Sequence, residues 1–157
     1  MESKKPRQVV ISKEDAVFWM DENGEWHNEH GKFEHPRIIK YFNSAIKKDE
    51  HGYFVAQSTD EIEEKVYFKF QETAVFAVDV KHGDPIMLRL NTGRSAEFDP
   101  ATLRVRGDHL YAAAGDHLIK FTSTAMLKLS TYLKEDDGHL VFSLNGRDWP
   151  VGDNKKV

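Results

Sequence analysis

The 157-residue chain contains no cysteine. This excludes disulfide bonds, a catalytic thiolate and cysteine-bound zinc from its chemistry. Proteins of the reducing cytoplasm rarely use disulfides, so the composition favours a cytoplasmic protein.

Long apolar runs and a strong charge of either sign are also missing. No apolar run approaches the ~20 residues of a membrane span, and the first residues are too polar for a secretory signal. The formal net charge is −4, neither sign clusters strongly, and the basic segments 1–7 and Lys155-Lys156 are interpreted as solvated tails. Nucleic-acid binders are more often basic overall with a charged face. We therefore expect neither a membrane nor a nucleic acid as partner.

Catalytic signatures are missing as well. There is no Gly-x-Ser-x-Gly elbow around Ser123 or Ser143, no phosphate-binding glycine loop and no His-Glu-x-x-His helix motif. Gly83, Gly93 and Gly107 fall in separate turns instead of surrounding one phosphate. The sequence therefore indicates a protein without catalysis and without a cofactor.

Aromatic residues, in contrast, are plentiful. Ten phenylalanines, five tyrosines and three tryptophans supply large apolar side chains for a core. Hydrophobic residues make up 39% of the chain and charged residues 31%, which is typical of a folded globular protein. Trp26 and Trp149 are expected to serve packing.

One pattern occurs twice along the chain. Gly31-Lys32-Phe33, a helix-like stretch and Asp49-Glu50-His51-Gly52 are echoed by Gly115-Asp116-His117, a second helix-like stretch and Asp136-Asp137-Gly138. The apolar residues of the two helical stretches correspond pairwise at a spacing of 87 positions. The pairs are Ile38 with Ala125, Ile39 with Met126, Phe42 with Leu129, Ala45 with Tyr132, and Ile46 with Leu133.

The repeat predicts an α+β fold of two structurally similar β-rich units, each an antiparallel sheet with one principal helix. The first unit is placed at 15–82 with a helix near 36–48, and the second at 83–152 with a helix near 123–134. Residues 1–14 are expected to be a flexible lead-in, with Val9-Val10-Ile11 as a candidate edge strand, and 153–157 a polar tail. The boundary is placed at the turn His82-Gly83-Asp84-Pro85.

Local signals support several of these elements. Asn23-Gly24 predicts a hairpin, and Pro36 suits the first position of a helix. Lys47 and Lys48 are expected to complement the negative end of that helix. Thr122 or Ser123 is expected to cap the second helix.

A family resemblance follows from the order of these segments. It is carried by Asp21-Glu22-Asn23-Gly24-Glu25-Trp26, His35-Pro36-Arg37, Lys48-Asp49-Glu50-His51-Gly52-Tyr53-Phe54-Val55, Glu64-Lys65-Val66-Tyr67-Phe68 and Ala74-Val75-Phe76-Ala77-Val78. In this order the chain resembles an uncharacterised bacterial family catalogued as domain of unknown function 1285, over most of residues 15–150. The resemblance implies two similar β-rich domains, each with a helix, in a bacterial cytoplasmic protein. The family has no assigned reaction, and a role in signal transduction or regulation has been suggested for it.

The predicted ligand-binding residues are Arg37, Asn91, Thr92 and Arg94. Arg37 begins the first predicted helix, where free N–H groups favour an anion. The turn Asn91-Thr92-Gly93-Arg94 offers backbone N–H groups beside a guanidinium. We expect a small anionic ligand in a cleft between the two units. A solvated surface charge at Arg37 and a plain hairpin turn at 91–94 are the structural alternatives.

Two further groups of polar residues have a structural and a functional interpretation. His27, His30 and His35 have the side chains of a zinc or nickel site, but their spacing in a predicted hairpin and turn favours surface or turn histidines. Asp79, His82 and Asp84 suggest acid–base chemistry, or simply the end of a strand and a turn. Lys65 is interpreted as an exposed lysine.

The predicted function is that of a non-catalytic regulatory or ligand-binding protein. Its partner would be the small anion or another protein. Two alternatives remain open: a metal-assisted hydrolase using His27, His30 and His35, and an assembly module whose edge strands pair in a homodimer.

Overall fold

Strands make up most of the regular structure in the computed structural model of the chain, which describes residues 5–153. The fold is α+β, with several antiparallel sheets and two α-helices among the described residues. The chain divides into two compact units, Met1–Ala74 and Val75–Val157. Within residues 5–153, no helix has the length and apolar character needed to cross a membrane.

The first unit contains one α-helix and two sheets. Its elements are β1 (Arg7–Ile11), β2 (Phe18–Met20), β3 (Trp26–Asn28), β4 (Gly31–Lys32), α1 (Pro36–Ser44), β5 (Ile46–Asp49), β6 (Gly52–Ser58) and β7 (Ile62–Tyr67). The sheets have the orders β2-β3-β4 and β1-β7-β6-β5. Among the described strands of this unit, β1 and β7 form the one parallel strand pair, and β1 lies at a sheet edge as predicted for Val9-Val10-Ile11. After β7 the chain returns to β2, where Met20 N–H donates to Lys69 O at 2.9 Å in a parallel bridge.

The core of the first unit is aromatic. Trp26 and Phe68 are each 1% exposed, with ring centres 4.8 Å apart. Phe18 and Phe42 add edge-to-face contacts, the arrangement that aromatic quadrupoles favour. The buried indole donates from Nε1 to Asn43 Oδ1 of α1 at 2.7 Å, which satisfies its polar group. The prediction that Trp26 serves packing is confirmed.

The second unit contains a larger sheet, a smaller sheet and one α-helix. Its elements are β8 (Val75–Lys81), β9 (Met87–Leu90), β10 (Ser95–Glu97), a 3₁₀ helix (Pro100–Thr102), β11 (Arg104–Arg106), β12 (His109–Ala114), β13 (His117–Phe121), α2 (Ser123–Leu129), a second 3₁₀ helix (Ser130–Tyr132), β14 (Leu133–Asp136), β15 (His139–Leu144), β16 (Arg147–Pro150) and β17 (Gly152–Asp153). The sheets have the orders β10-β9-β8-β13-β12-β11-β17 and β14-β15-β16. The pairs β8–β13 and β11–β17 are parallel.

The two units divide between Ala74 and Val75, eight residues before the expected boundary at 82/83. The reason is the pairing of β8, which lies between β9 and β13 in the sheet of the second unit. The turn His82-Gly83-Asp84-Pro85 connects β8 to β9. Residues 1–4 of the expected lead-in and 154–157 of the expected tail lie outside the described residues.

Both helices begin where predicted and end earlier. Pro36 is the first residue of α1, and the Thr122 hydroxyl accepts from Ala125 N–H at the start of α2. The prediction that Lys47 and Lys48 end the first helix is wrong, because both lie in β5. Backbone pairing of Ile46 with Val55 begins that strand and buries Ile46, so the strand replaces the last helical turn.

The two units share an order of elements. A meander of three strands, an α-helix and a second meander of three strands occur in β2–β7 and again in β11–β16. The α-helices begin at Pro36 and Ser123, the next strands at Ile46 and Leu133, and the following strands at Gly52 and His139, so each pair is 87 positions apart. In each unit the segment after the second meander pairs in parallel with the first strand of the first meander. This strand is β2 in the first unit and β11 in the second.

Candidate ligand-binding site

Arg37 lies in the first turn of α1, in the first unit. Its backbone N–H donates to His35 Nδ1 at 3.2 Å, so the His35 ring occupies part of the N–H end of this helix. The Arg37 side chain is exposed and has no ion pair among the described residues. The helix start therefore offers an anion a guanidinium but not a full set of free N–H groups.

Asn91, Thr92 and Arg94 lie together in the turn between β9 and β10 of the second unit. Asn91 fastens this turn to β8, because its Oδ1 accepts from Phe76 N–H at 2.9 Å and its N–H donates to Phe76 O at 2.9 Å. Gly93, at φ +88°, donates its N–H to Leu90 O. The Arg94 guanidinium is exposed and has no ion pair among residues 5–153. The turn presents one free cationic group.

The three histidines have separate contacts. His27 Nε2 donates to Asp21 Oδ2 at 2.7 Å, His30 lies 3.4 Å from Glu29, and His35 accepts from Arg37. Partial burial alone would raise the pKa of Asp21, but the bonds from His27 and two backbone N–H groups outweigh it and lower that pKa. Among the described residues no group of three or more histidine or carboxylate side chains is arranged to hold a metal ion.

Asp79 and His82 fasten the helical segment of the second unit to its sheet. Asp79 pairs with Lys128 of α2, which lowers the pKa of the Asp79 carboxyl. His82 hydrogen-bonds to the Tyr132 hydroxyl in the 3₁₀ helix. Each side chain thus has a structural partner, and the two do not form an acid–base pair.

Lys65 contributes to a polar cluster in the first unit rather than standing alone. Its ammonium lies 3.2 Å from Asp49 Oδ2 and 4.8 Å from the Phe54 ring centre. Asp49 also accepts the Tyr67 hydroxyl at 2.6 Å and the His51 N–H at 2.9 Å. The hydrogen bond from Tyr67 lowers the pKa of Asp49, and the same bond raises the pKa of Tyr67 to about 12. These contacts connect β5, β6 and β7.

A cleft of about 710 Å³ lies within the second unit. It is formed by the β8–β9 connection, the segment 97–101, the β12–β13 turn and one face of β16. The residues around it are Asp84, Pro85, Ile86, Glu97, Phe98, Asp99, Pro100, Ala101, Ala113, Ala114, Gly115, Leu144, Arg147 and Trp149. The volume falls in the range usual for pockets that bind small organic molecules.

The cleft contains charged side chains that form no ion pair within the described residues. Asp84, Glu97 and Arg147 have no ion-pair partner among residues 5–153. The Arg147 guanidinium lies over the Trp149 ring, 4.7 Å from its centre. Asp99, the fourth charged residue around the cleft, has a structural role, because its Oδ1 accepts a hydrogen bond from Ala101 N–H and caps the 3₁₀ helix. Elsewhere in the unit, Asp148 pairs with Lys134.

Sequence reasoning missed this cleft, although one signal for it exists. Arg147 and Trp149 follow the turn Asn145-Gly146 at positions i and i+2 of a strand, which places both side chains on one face. No local pattern indicates Asp84 and Glu97, because they lie in different connections and come together only in the folded unit. Arg94 and Asn91 do not line it.

Comparison with known proteins identifies the fold. No family model matches the chain, and no curated protein matches its sequence. The solved structure of a DUF1285 family protein from Silicibacter pomeroyi DSS-3 matches 94% of this chain and 84% of its own, with a TM-score of 0.60 and 16% identity. A DUF1285 family protein from Shewanella baltica OS155 matches 73% of this chain and 91% of its own, with a TM-score of 0.52 and 15% identity. At these identities the likeness concerns the fold, and at that level it confirms the resemblance to domain of unknown function 1285.

Proposed function

We propose that this protein is a non-catalytic ligand-binding protein with a regulatory role, and that its ligand occupies the cleft of the second unit. The observation that carries this proposal is the set of charges around the cleft that have no ion-pair partner within the described residues. Asp79 with Lys128 and Asp148 with Lys134 show the alternative, in which a charge of this unit is paired within the fold. Charges left unpaired around a concave site are available to a ligand.

The ligand that fits is a small zwitterionic molecule. Asp84 and Glu97 attract a cationic group, and Arg147 offers a carboxylate a planar donor fork. The Trp149 ring holds that fork in position by a cation–π contact. Buried Ile86 and Phe98 supply apolar contact area beneath the polar groups.

The composition of the cleft supports binding without catalysis. No serine, threonine, histidine, tyrosine or lysine is among the described residues around it, so hydroxyl, imidazole and amine nucleophiles are missing and carboxylates are the remaining candidates. The metal-assisted hydrolase has no support, because His27, His30 and His35 have separate partners. An assembly role through edge strands is a weaker candidate: the edge strand β5 carries exposed Lys47 and Lys48, which disfavour edge pairing.

The regulatory part of the proposal follows the role suggested for the resembled family, and a duplicated architecture indicates where the ligand-binding residues lie. The shared order of strands and helix, the constant spacing of 87 and the parallel return of each chain end support a descent of both units from one ancestral unit. Nearly all residues that correspond are structural. Ligand binding would then depend on residues that differ. By strand pairing, Arg147 and Trp149 of β16 occupy the positions that Glu64 and Val66 hold in β7.

The experiment follows the three indole N–H signals of tryptophan-labelled protein by NMR while the free L-amino acids are added one at a time. Signals are assigned with Trp19→Phe and Trp149→Phe. We expect a saturable shift of the Trp149 signal with at least one amino acid, and none of buried Trp26.

Arg147→Gln and Arg94→Gln form a matched pair for this test. Both arginines are exposed and without an ion pair among residues 5–153, but only Arg147 lines the cleft. Arg147→Gln should weaken binding roughly tenfold, the effect of losing one charge-assisted hydrogen bond, and Arg94→Gln should not. Loss of binding in Arg94→Gln alone would move the site to the predicted Asn91–Arg94 turn. No shift with any amino acid would refute the proposal.

A further inference from the structure

A second groove, of about 420 Å³, lies in the first unit beside β2. The residues around it are Lys13, Glu14, Ala16, Phe18, Trp19, Met20, Lys69, Phe70 and Gln71. It therefore combines three aromatic rings with two lysines and a single carboxylate. This composition is opposite in charge to that of the cleft in the second unit.

Trp19 is the exposed aromatic ring of this groove. Side chains alternate along β2, so Met20 is buried while the neighbouring Trp19 is 41% exposed. The His27 ring stacks on the indole with an interplanar angle of 7° and ring centres 5.9 Å apart. His27 is in turn held by Asp21 at 2.7 Å. The His27 ring thus occupies one face of the indole, and the exposure of Trp19 leaves part of its ring accessible to a ligand.

The lysines of the groove have no competing partner among residues 5–153. Lys13 and Lys69 make neither an ion pair nor a side-chain hydrogen bond there. Glu14 is the opposing charge, which leaves the groove with one net positive charge. Gln71 adds an amide able to donate or accept.

The corresponding position of the second unit is packed differently. There β17 returns in parallel to β11, as Lys69 returns to Trp19. Arg104 lies over Gly152 so closely that a Cβ on this glycine would be 2.8 Å from Arg104 Cδ. The guanidinium is satisfied by Ala101 O and Leu103 O at 3.0 and 2.8 Å. The place of Trp19 is thus taken by an arginine bonded to backbone carbonyls, beside a smaller groove of about 270 Å³.

From these observations we propose that the groove beside β2 binds a planar aromatic anion. The ring of the ligand stacks on the exposed part of the Trp19 indole, and its anionic group is held by Lys69 and Lys13. Stacking on tryptophan accepts many kinds of ring, while the lysines select for negative charge. This site is separate from the cleft of the second unit, and it does not depend on the proposed function of that cleft.

The test titrates AMP and indole-3-acetate into the full chain, with adenosine and indole as neutral analogues. The readout is the same set of three indole N–H signals. We expect AMP, indole-3-acetate or both to shift the Trp19 signal saturably below about 5 mM, and the neutral analogues to bind roughly tenfold more weakly. A response to AMP alone identifies a nucleotide site, and a response to indole-3-acetate alone an aromatic carboxylate site.

Lys69→Gln and Lys40→Gln separate the groove from general surface charge. Both lysines are exposed in the first unit, but Lys40 lies on α1 outside the groove. We expect Lys69→Gln to weaken binding of the anions roughly tenfold, with rescue by Lys69→Arg, while Lys40→Gln leaves it unchanged. Equal binding of the neutral analogues, equal effects of the two Gln variants, or no shift of the Trp19 signal would each overturn the proposal.

Discussion

At the scale of single residues, the Asp49 carboxylate shows how a polar group is committed to structure. It accepts a hydroxyl, an ammonium and a backbone N–H, so three of its roughly four acceptor sites are used. Arg147 is the contrasting case, because its guanidinium has only an aromatic face as contact within the described residues. The difference between a satisfied and an available charge distinguishes the structural clusters from the candidate site.

The bond between Tyr67 and Asp49 predicts how stability responds to pH. In the unfolded chain tyrosine ionises near pH 10, whereas the pKa of Tyr67 is raised to about 12 by the Asp49 carboxylate. The stabilisation is therefore complete below pH 10 and is lost as the pH rises from 10 to 12. The lowered pKa of Asp49 has the opposite sign: its stabilisation is present above the ordinary pKa of 3.8 and is lost as the pH falls through the folded pKa.

Tyr67→Phe should remove the alkaline part of this dependence and return the pKa of Asp49 towards its ordinary value. Urea unfolding at a series of pH values, compared with the unsubstituted protein, measures the first effect, and NMR titration of the Asp49 carboxyl measures the second. Tyr41→Phe is the matched control, because Tyr41 is exposed and no hydrogen bond of its hydroxyl is present among residues 5–153. Identical alkaline profiles for the two variants would contradict the account.

Sequence patterns identify which residues are buried more readily than which polar groups meet. Trp26 was expected to pack in the structure and does so. Its hydrogen-bond partner Asn43 was not expected, because the two residues are 17 positions apart and belong to different elements. Lys65 was interpreted as exposed for the same reason: its pairing with Asp49 depends on the register of β5, β6 and β7, which no local pattern contains.

At the scale of elements, helix starts were predictable and helix ends were not. Proline and a capping threonine act on neighbouring N–H groups, so Pro36 and Thr122 carry the signal locally. The end of α1 is decided by the pairing of β5 with β6, a contact between segments. The apolar stripe through Ile46 continued across this boundary and therefore predicted a helix that is too long.

Two leucines of helix α2 test which face of the helix contributes to the free energy of unfolding. Leu129 is 0% exposed and Leu127, two positions earlier on the same helix, is 75% exposed. Leu129→Ala should lower the free energy of unfolding by about 2–5 kcal/mol, since it removes buried methyl groups and leaves a cavity. Leu127→Ala should change it by less than about 0.5 kcal/mol. Urea unfolding midpoints measure both, and comparable losses would show that the helix packs differently.

At the scale of the whole molecule, the order of elements was predictable and their grouping was not. The apolar run at 74–80 was expected to close the first unit, but β8 pairs in parallel with β13, more than forty positions away. Parallel strands are joined by long connections, so the sequence around a strand does not indicate which strand it pairs with. The cleft of the second unit depends on this grouping, because the β8–β9 connection supplies Asp84.

Each unit has an aromatic core of its own, so we expect a core substitution to destabilise mainly the unit that contains it. In the first unit Phe68 lies 4.8 Å from Trp26, and in the second Phe142 lies 5.9 Å from Trp149, measured between ring centres. Both phenylalanines are at most 1% exposed. Replacing either by leucine removes buried ring contacts and should lower the free energy of unfolding of the unit concerned by about 1–3 kcal/mol.

Fluorotryptophan NMR during urea unfolding follows Trp26 and Trp149 separately in one sample. Phe68→Leu should lower the midpoint of the Trp26 signal more than that of Trp149, and Phe142→Leu should do the reverse. If both signals moved together by the same amount in both variants, the units would unfold as one cooperative body, and the two cores would not be independent sources of stability.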